Sequence, residues 1–125
     1  MKPDLGLLFL RVTFGLLMLG HGWGKLMDLI GGRTDFADPL GIGPVPSLIL
    51  ATFAEFLCSL AVIAGFKVRW TAIPVVITMA VAFLIVHADD PFARKEKALL
   101  FACGFLTLVF TGGGRYALDA MLKRR

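Results

Sequence analysis

Residues 5–27 read LGLLFLRVTFGLLMLGHGWGKLM, and only Arg11, His21 and Lys25 in that stretch carry an ionisable side chain. An α-helix rises ~1.5 Å per residue, so about 20 such residues cross the ~30 Å hydrocarbon core of a bilayer. The run is long enough. A single strand placed in lipid would leave its backbone groups without partners, so the segment is helical. Lys2 and the apolar stretch after it look like a secretory leader, and Gly20-His21-Gly22 supplies small residues. Arg11 in the middle of the run argues against cleavage. A retained helix is expected.

Three further apolar runs follow, over residues 46–66, 70–88 and about 98–112. The last is short, and the charged stretch 92–97 must complete it from Pro91 onward. Composition agrees: 58% of the 125 residues are apolar and 18% charged, against about 45–50% and 25% in soluble domains. The expected fold is all-α, an integral membrane four-helix bundle in a single domain 1–125. Its helices should cover about 5–27, 46–66, 70–88 and 91–112, with a short amphipathic tail over about 115–125. Disorder, a disulfide scaffold and a multi-domain enzyme are excluded, with only two Cys present. The net charge of +4 does not point to nucleic acid, because the basic residues flank apolar runs. The lipid bilayer is the expected partner.

The connections have readable chemistry. Gly31, Gly32, Pro39, Gly41, Gly43, Pro44 and Pro46 break the chain between the first two helices. A loop of roughly 18 residues results, a length associated with caps over functional sites. Residues 65–69 make a tight basic turn. Asp89-Asp90-Pro91 offers a carboxylate N-cap and Pro at the first helical position. Gly112-Gly113-Gly114 stops the fourth helix. No internal repeat is present.

Orientation follows from Lys and Arg. Lys2, Arg11, Lys67, Arg69, Arg115, Lys123, Arg124 and Arg125 share the side of the termini, whereas Lys25, Arg33, Arg94, Lys95 and Lys97 lie opposite. The richer side is expected to be cytoplasmic, with both termini inside and the loop 31–45 outside.

Polar residues within the helices then converge on the outer half. His21 and Lys25 share one face of the first helix at i, i+4. Glu55 lies ~13 Å below the outer end of the second helix. His87 closes the third helix, and Glu96 and Lys97 open the fourth. Charges at mid-membrane cost ~2.5–3.5 kcal/mol on insertion scales, so these residues should face the interior and mark function. His21, Lys25, Glu55 and His87 are the candidate catalytic set and should line one outward-opening cavity. Glu55 should be the most buried ionisable group, paired to Lys25 or, failing that, to His21. On the inner side, Arg11 should pair with Asp119, or with Asp4.

Each residue also has a structural reading. Lys25 can snorkel to headgroups, His21 between glycines can bond across a helix contact, and the whole set can be a polar lock on the bundle. A metal set of His21, Glu55 and His87 lacks a spacing signature, and Lys25 opposes a cation. Bis-His haem needs both imidazoles at one depth, which the positions deny. Cys58 and Cys103 form no C-x-x-C pair and read as packing. No metal is expected.

A basic residue in helix one followed by His-Gly-x-x-Lys (Arg11, then 21–25) resembles the opening of the DoxX family of small four-helix membrane proteins. So do Ala54-Glu55, the Gly65 and Arg69 turn, His87, and Gly-Gly-Arg-Tyr-Ala-Leu-Asp over 113–119. Relatives often carry Ser where this chain has Ala117. The resemblance implies a bacterial or archaeal plasma membrane and a subunit of a redox system with quinone as electron acceptor, alongside links to oxidative-stress and thiol-redox assemblies. On that reading His21 and Lys25 contact quinone and Glu55 or a His exchanges protons. A redox partner protein is then required, because the chain shows no electron carrier, and self-association is a natural companion of so small a bundle. The rival expectation is a non-enzymatic scaffold, assembly factor or small-solute carrier.

Overall fold

The computed structural model describes residues 2–33 and 38–123. Four long helices run in order: α1 (Lys2–Ile30), α2 (Pro44–Ala64), α3 (Val68–Val86) and α4 (Phe92–Thr111), followed by the short α5 (Leu118–Lys123). The described residues contain no strand. Helices α1, α2 and α3 are each long and apolar enough to cross a membrane. Helix α4 is more polar at its start, where Arg94, Lys95, Glu96 and Lys97 fall. It packs along α3, its hairpin partner, and so lies in the same layer.

Helix α1 extends past the expected end at residue 27, and Pro44 starts α2 two residues early. The connection 31–43 is therefore shorter than the sequence suggests. Asp38 organises its second half: Oδ1 accepts from the Ile42 amide at 3.0 Å and the Ser47 hydroxyl at 2.9 Å, and Oδ2 from the Gly43 amide at 2.8 Å. Desolvation pushes this carboxyl up, but the bonds from Gly43, Ser47, Ile42 and Gly41 outweigh it and hold it below its ordinary range.

Helix α2 ends at Gly65, whose φ of 84° suits a residue without Cβ. The Phe66 amide bonds the Ala61 carbonyl and the Gly65 amide bonds the Val62 carbonyl, the paired closure of a Schellman motif. Gly65 also leaves room for Ala117 and the Arg11 guanidinium. The Asp119 amide bonds the Gly65 carbonyl at 3.1 Å, so the tail is tied to this turn by buried Ala117 while Met121 and Leu122 stay exposed.

Two expectations are corrected here. Asp90 does not cap α4. Its Oδ2 lies 2.7 Å from His87 Nδ1, and Pro91 occupies the cap position with no side-chain bond. Arg11 does not pair with Asp119 or Asp4. Among the described residues its guanidinium donates to the carbonyls of Ile63 (2.8 Å), Val62 (3.3 Å) and Tyr116 (3.1 Å). The physical reason is the helix end: the last carbonyls of α2 carry the negative pole of its dipole and have lone pairs left over for a cation, the Val62 oxygen accepting from the Gly65 amide as well.

The core joins Met18, Cys58, Val62, Val75, Phe101, Phe105 and Leu108. Phe14 meets Phe101 edge-on at 5.7 Å between centroids. Around it, Phe9, Leu16, Leu17, Leu57, Trp70, Ile77 and Phe110 stay exposed, an apolar belt that belongs in lipid. The chain is an integral membrane protein.

Candidate functional site

At the end of the bundle holding the 31–43 connection, a cavity of about 600 Å³ lies among all four long helices. His21 and Lys25 reach it from α1, Glu55 from α2, His87 from α3, and Arg94 and Lys97 from α4. The four residues singled out in the sequence thus share one cavity. Arg94 was not among them, and Lys97 was noted only as opening the fourth helix.

The floor is an ion pair. Lys25 Nζ donates to Glu55 Oε1 at 2.9 Å, with the Glu55 side chain 3% exposed and that of Lys25 25%. Helix one therefore supplies the neighbour of Glu55, and it is Lys25 that does so. Glu55 is not the most buried ionisable residue, since Arg11 is 1% exposed. The pair depends on close helix approach. Gly22 sits against the Glu55 backbone, where a Cβ would collide with the carbonyl and the Phe56 amide, and Lys25 lies one turn further along α1.

Backbone geometry sharpens the site in a way composition does not show. Residues Phe53–Cys58 of α2 and Ala82–Val86 of α3 form π-helical turns. Such wider turns are uncommon and frequent at functional positions, because the extra residue per turn re-aims a side chain. The first contains Glu55. The second ends at His87, whose amide bonds the Ala82 carbonyl at 2.9 Å. No local sequence signal marks either turn. Pro74, which lacks an amide hydrogen, interrupts α3 on the cavity wall.

His21 lies edge-on to Phe101 at 5.8 Å and feels the charges of Lys97 and Lys25. His87 is held by Asp90 through Nδ1, which leaves Nε2 as its other proton-exchanging atom. Among the described residues no three His, Cys, Asp or Glu side chains converge as a metal set.

The remaining wall is apolar. Leu50 and Phe53 of α2 and Ile77 and Val86 of α3 line the cavity, and each keeps a large exposed apolar surface.

Comparison with known proteins places this arrangement in a family. The DoxX family model matches residues 6–88, which cover α1 to α3 and three of the four helices around the cavity. Inner membrane protein YqjF of Escherichia coli is 33% identical over 129 residues, spanning 98% of this chain and 95% of that protein. An uncharacterized protein of Haemophilus influenzae is 31% identical over 124 residues, spanning 90% of this chain and 87% of its own length. No solved structure matches. The chain belongs to the DoxX family of membrane proteins.

Proposed function

We propose that this protein is a membrane subunit of a quinone-linked redox system and that the cavity is where quinone binds. One observation carries the reading: a Lys–Glu pair at the floor of a cavity with mostly apolar walls. A volume of about 600 Å³ lies in the range of small-molecule sites, which are mostly apolar with a few convergent polar groups. Quinone supplies two-electron, two-proton redox chemistry when bound. Lys25 Nζ would donate to a carbonyl oxygen, and Glu55 would hold or release the proton that accompanies electron arrival. His87, oriented by Asp90, would exchange protons with water at the mouth. Electrons would come from a partner protein, which would dock beside Pro39 and Leu40 at the edge of the cavity.

We place both termini in the cytoplasm and the cavity mouth outside, on the Lys and Arg distribution, in a bacterial inner membrane as the name of the Escherichia coli relative suggests. A second reading rests on the same pair: already formed and buried, it can serve as a lock between α1 and α2. Glu55→Gln separates them. It keeps shape and hydrogen bonding but removes the titrating proton, so quinone-linked turnover with a candidate reductase should collapse while the fold persists. Full turnover in Glu55→Gln would reject proton exchange, and a wild-type protein that retains no quinone after mild extraction would reject the site.

A further inference from the structure

Among the described residues the charges in the cavity do not balance. Lys25, Arg94 and Lys97 face one described carboxylate, Glu55, and Lys25 already neutralises it at 2.9 Å. Among the described residues Arg94 and Lys97 have no side-chain hydrogen bond or ion pair, and neither Glu96 nor Asp89 lines the cavity. Asp90, the other nearby acid, is engaged by His87. Their placement is also unfavourable for the helix. Arg94 and Lys97 lie in the first two turns of α4, which has no acidic residue in its first turn, so both cations face the positive pole of the dipole.

Depth and walls narrow the counter-charge. Arg94 is two residues inside the start of α4 and Lys97 five, hence ~3 and ~8 Å below its end. Beside them the cavity wall is apolar: Leu50 and Phe53 of α2 and Ile77 of α3 carry it further into the bundle, while Val86 ends α3 near the level of the cations. An anion with an apolar tail matches both features at once, whereas a free inorganic anion uses only the first.

We propose that Arg94 and Lys97 form a subsite for the phosphate of an anionic phospholipid, whose acyl chain lies along the apolar wall of α2 and α3. The subsite lies on α4, beyond residues 6–88 of the family match, and it shares the cavity with the quinone reading but uses Arg94 and Lys97 rather than Lys25 and Glu55. Arginine can grip phosphate with two parallel N–H bonds, and lysine adds a point charge.

The test uses the full chain in neutral detergent, titrated with phosphatidylglycerol, phosphatidylcholine or inorganic phosphate, and read by native mass spectrometry and thermal midpoint. Wild type should bind phosphatidylglycerol in preference to phosphatidylcholine and gain thermal stability from it, with no gain from inorganic phosphate. Each of Arg94→Gln and Lys97→Gln should weaken that binding about fivefold, and the double variant about twenty-five-fold. Arg94→Lys with Lys97→Arg should keep the preference. Lys95→Gln, the same charge change on a residue that stacks on Phe83 and does not line the cavity, should leave it untouched. Equal binding of both lipids by wild type, an equal gain from inorganic phosphate, or a retained preference in the double glutamine variant would each overturn the proposal. The lipid preference is read without added quinone, and quinone retention is read separately on Glu55→Gln, so failure of this subsite and failure of the quinone site are distinguishable.

Discussion

Helix α1 carries a cation toward each end of the bundle, and the two are accommodated differently. Arg11 is fully buried and donates to three carbonyl oxygens from the α2 terminus and the tail. Lys25 meets a carboxylate on the floor of an open cavity. Both satisfy the rule that a charge leaves water only with partners. Carbonyls have no titrating proton, so the Arg11 end can only hold the fold together. A carboxylate has one, so the Lys25 end can also change state. The difference teaches which buried charge is structural and which is available for chemistry.

That contrast can be broken by mutation, most severely at the enclosed end. Arg11→Met should cost about 3 kcal/mol, less than three bonds to a charged donor at ~1.5–3 kcal/mol each, because the Val62 oxygen keeps the Gly65 amide and the Ile63 and Tyr116 bonds are only partly buried. The thermal midpoint in detergent should fall well below that of wild type, with quinone retention per folded molecule unchanged. At the other end Glu55→Ala leaves Lys25 without its carboxylate. Breaking a fully buried pair costs ~3–5 kcal/mol, but Lys25 is partly exposed and can turn to the mouth, so about 1–2 kcal/mol is expected. Combining Lys25→Met with Glu55→Leu should recover most of that loss, as apolar replacement of buried pairs often does. A double variant less stable than both single ones would make the pair a structural lock of the Arg11 kind.

Smaller effects sharpen the contrast. Gly22→Ala should force α1 and α2 apart at Glu55, costing ~1–3 kcal/mol as overpacking does and lengthening the Lys25–Glu55 bond. Crosslinking between cysteines placed on α1 and α2 should then slow at the cavity level and stay normal near Arg11. The smallest effect is in the loop. Asp38 has its folded pKa lowered by hydrogen bonds, so its contribution is complete above the unfolded value of ~3.9. It is lost as pH falls through the folded value, below that. Protection of the Ile42 and Gly43 amides against exchange, taken relative to the unstructured rate at the same pH, should therefore fall only in acid, and Asp38→Asn should show reduced protection already at neutral pH.

Much of the fold was legible because bilayer physics writes it in run lengths, and the apolar stretches located α1 to α3 to within a few residues. Depth arithmetic along those helices brought His21, Lys25, Glu55 and His87 to one end, where the cavity holds them all. What stayed hidden involves the backbone. The acceptors of Arg11 are carbonyls, which every residue has, so no side chain in the sequence marks them and the carboxylates of Asp119 and Asp4 are not used. The π turns around Glu55 and before His87 arise from backbone hydrogen bonding imposed by packing. Asp90 had the pattern of an N-cap, yet the neighbouring imidazole of His87 took it. Arg94 looked like a flanking charge because the wall it lines is built by three other helices.

Equilibrium binding of a short-chain benzoquinone to the purified protein tests the central claim most directly, with Lys25→Met and Arg11→Met measured beside wild type at a temperature where each is folded. The account predicts saturable binding by wild type, its loss in Lys25→Met, and its survival in Arg11→Met. Binding that Lys25→Met leaves intact, or no saturable binding by wild type, would contradict it.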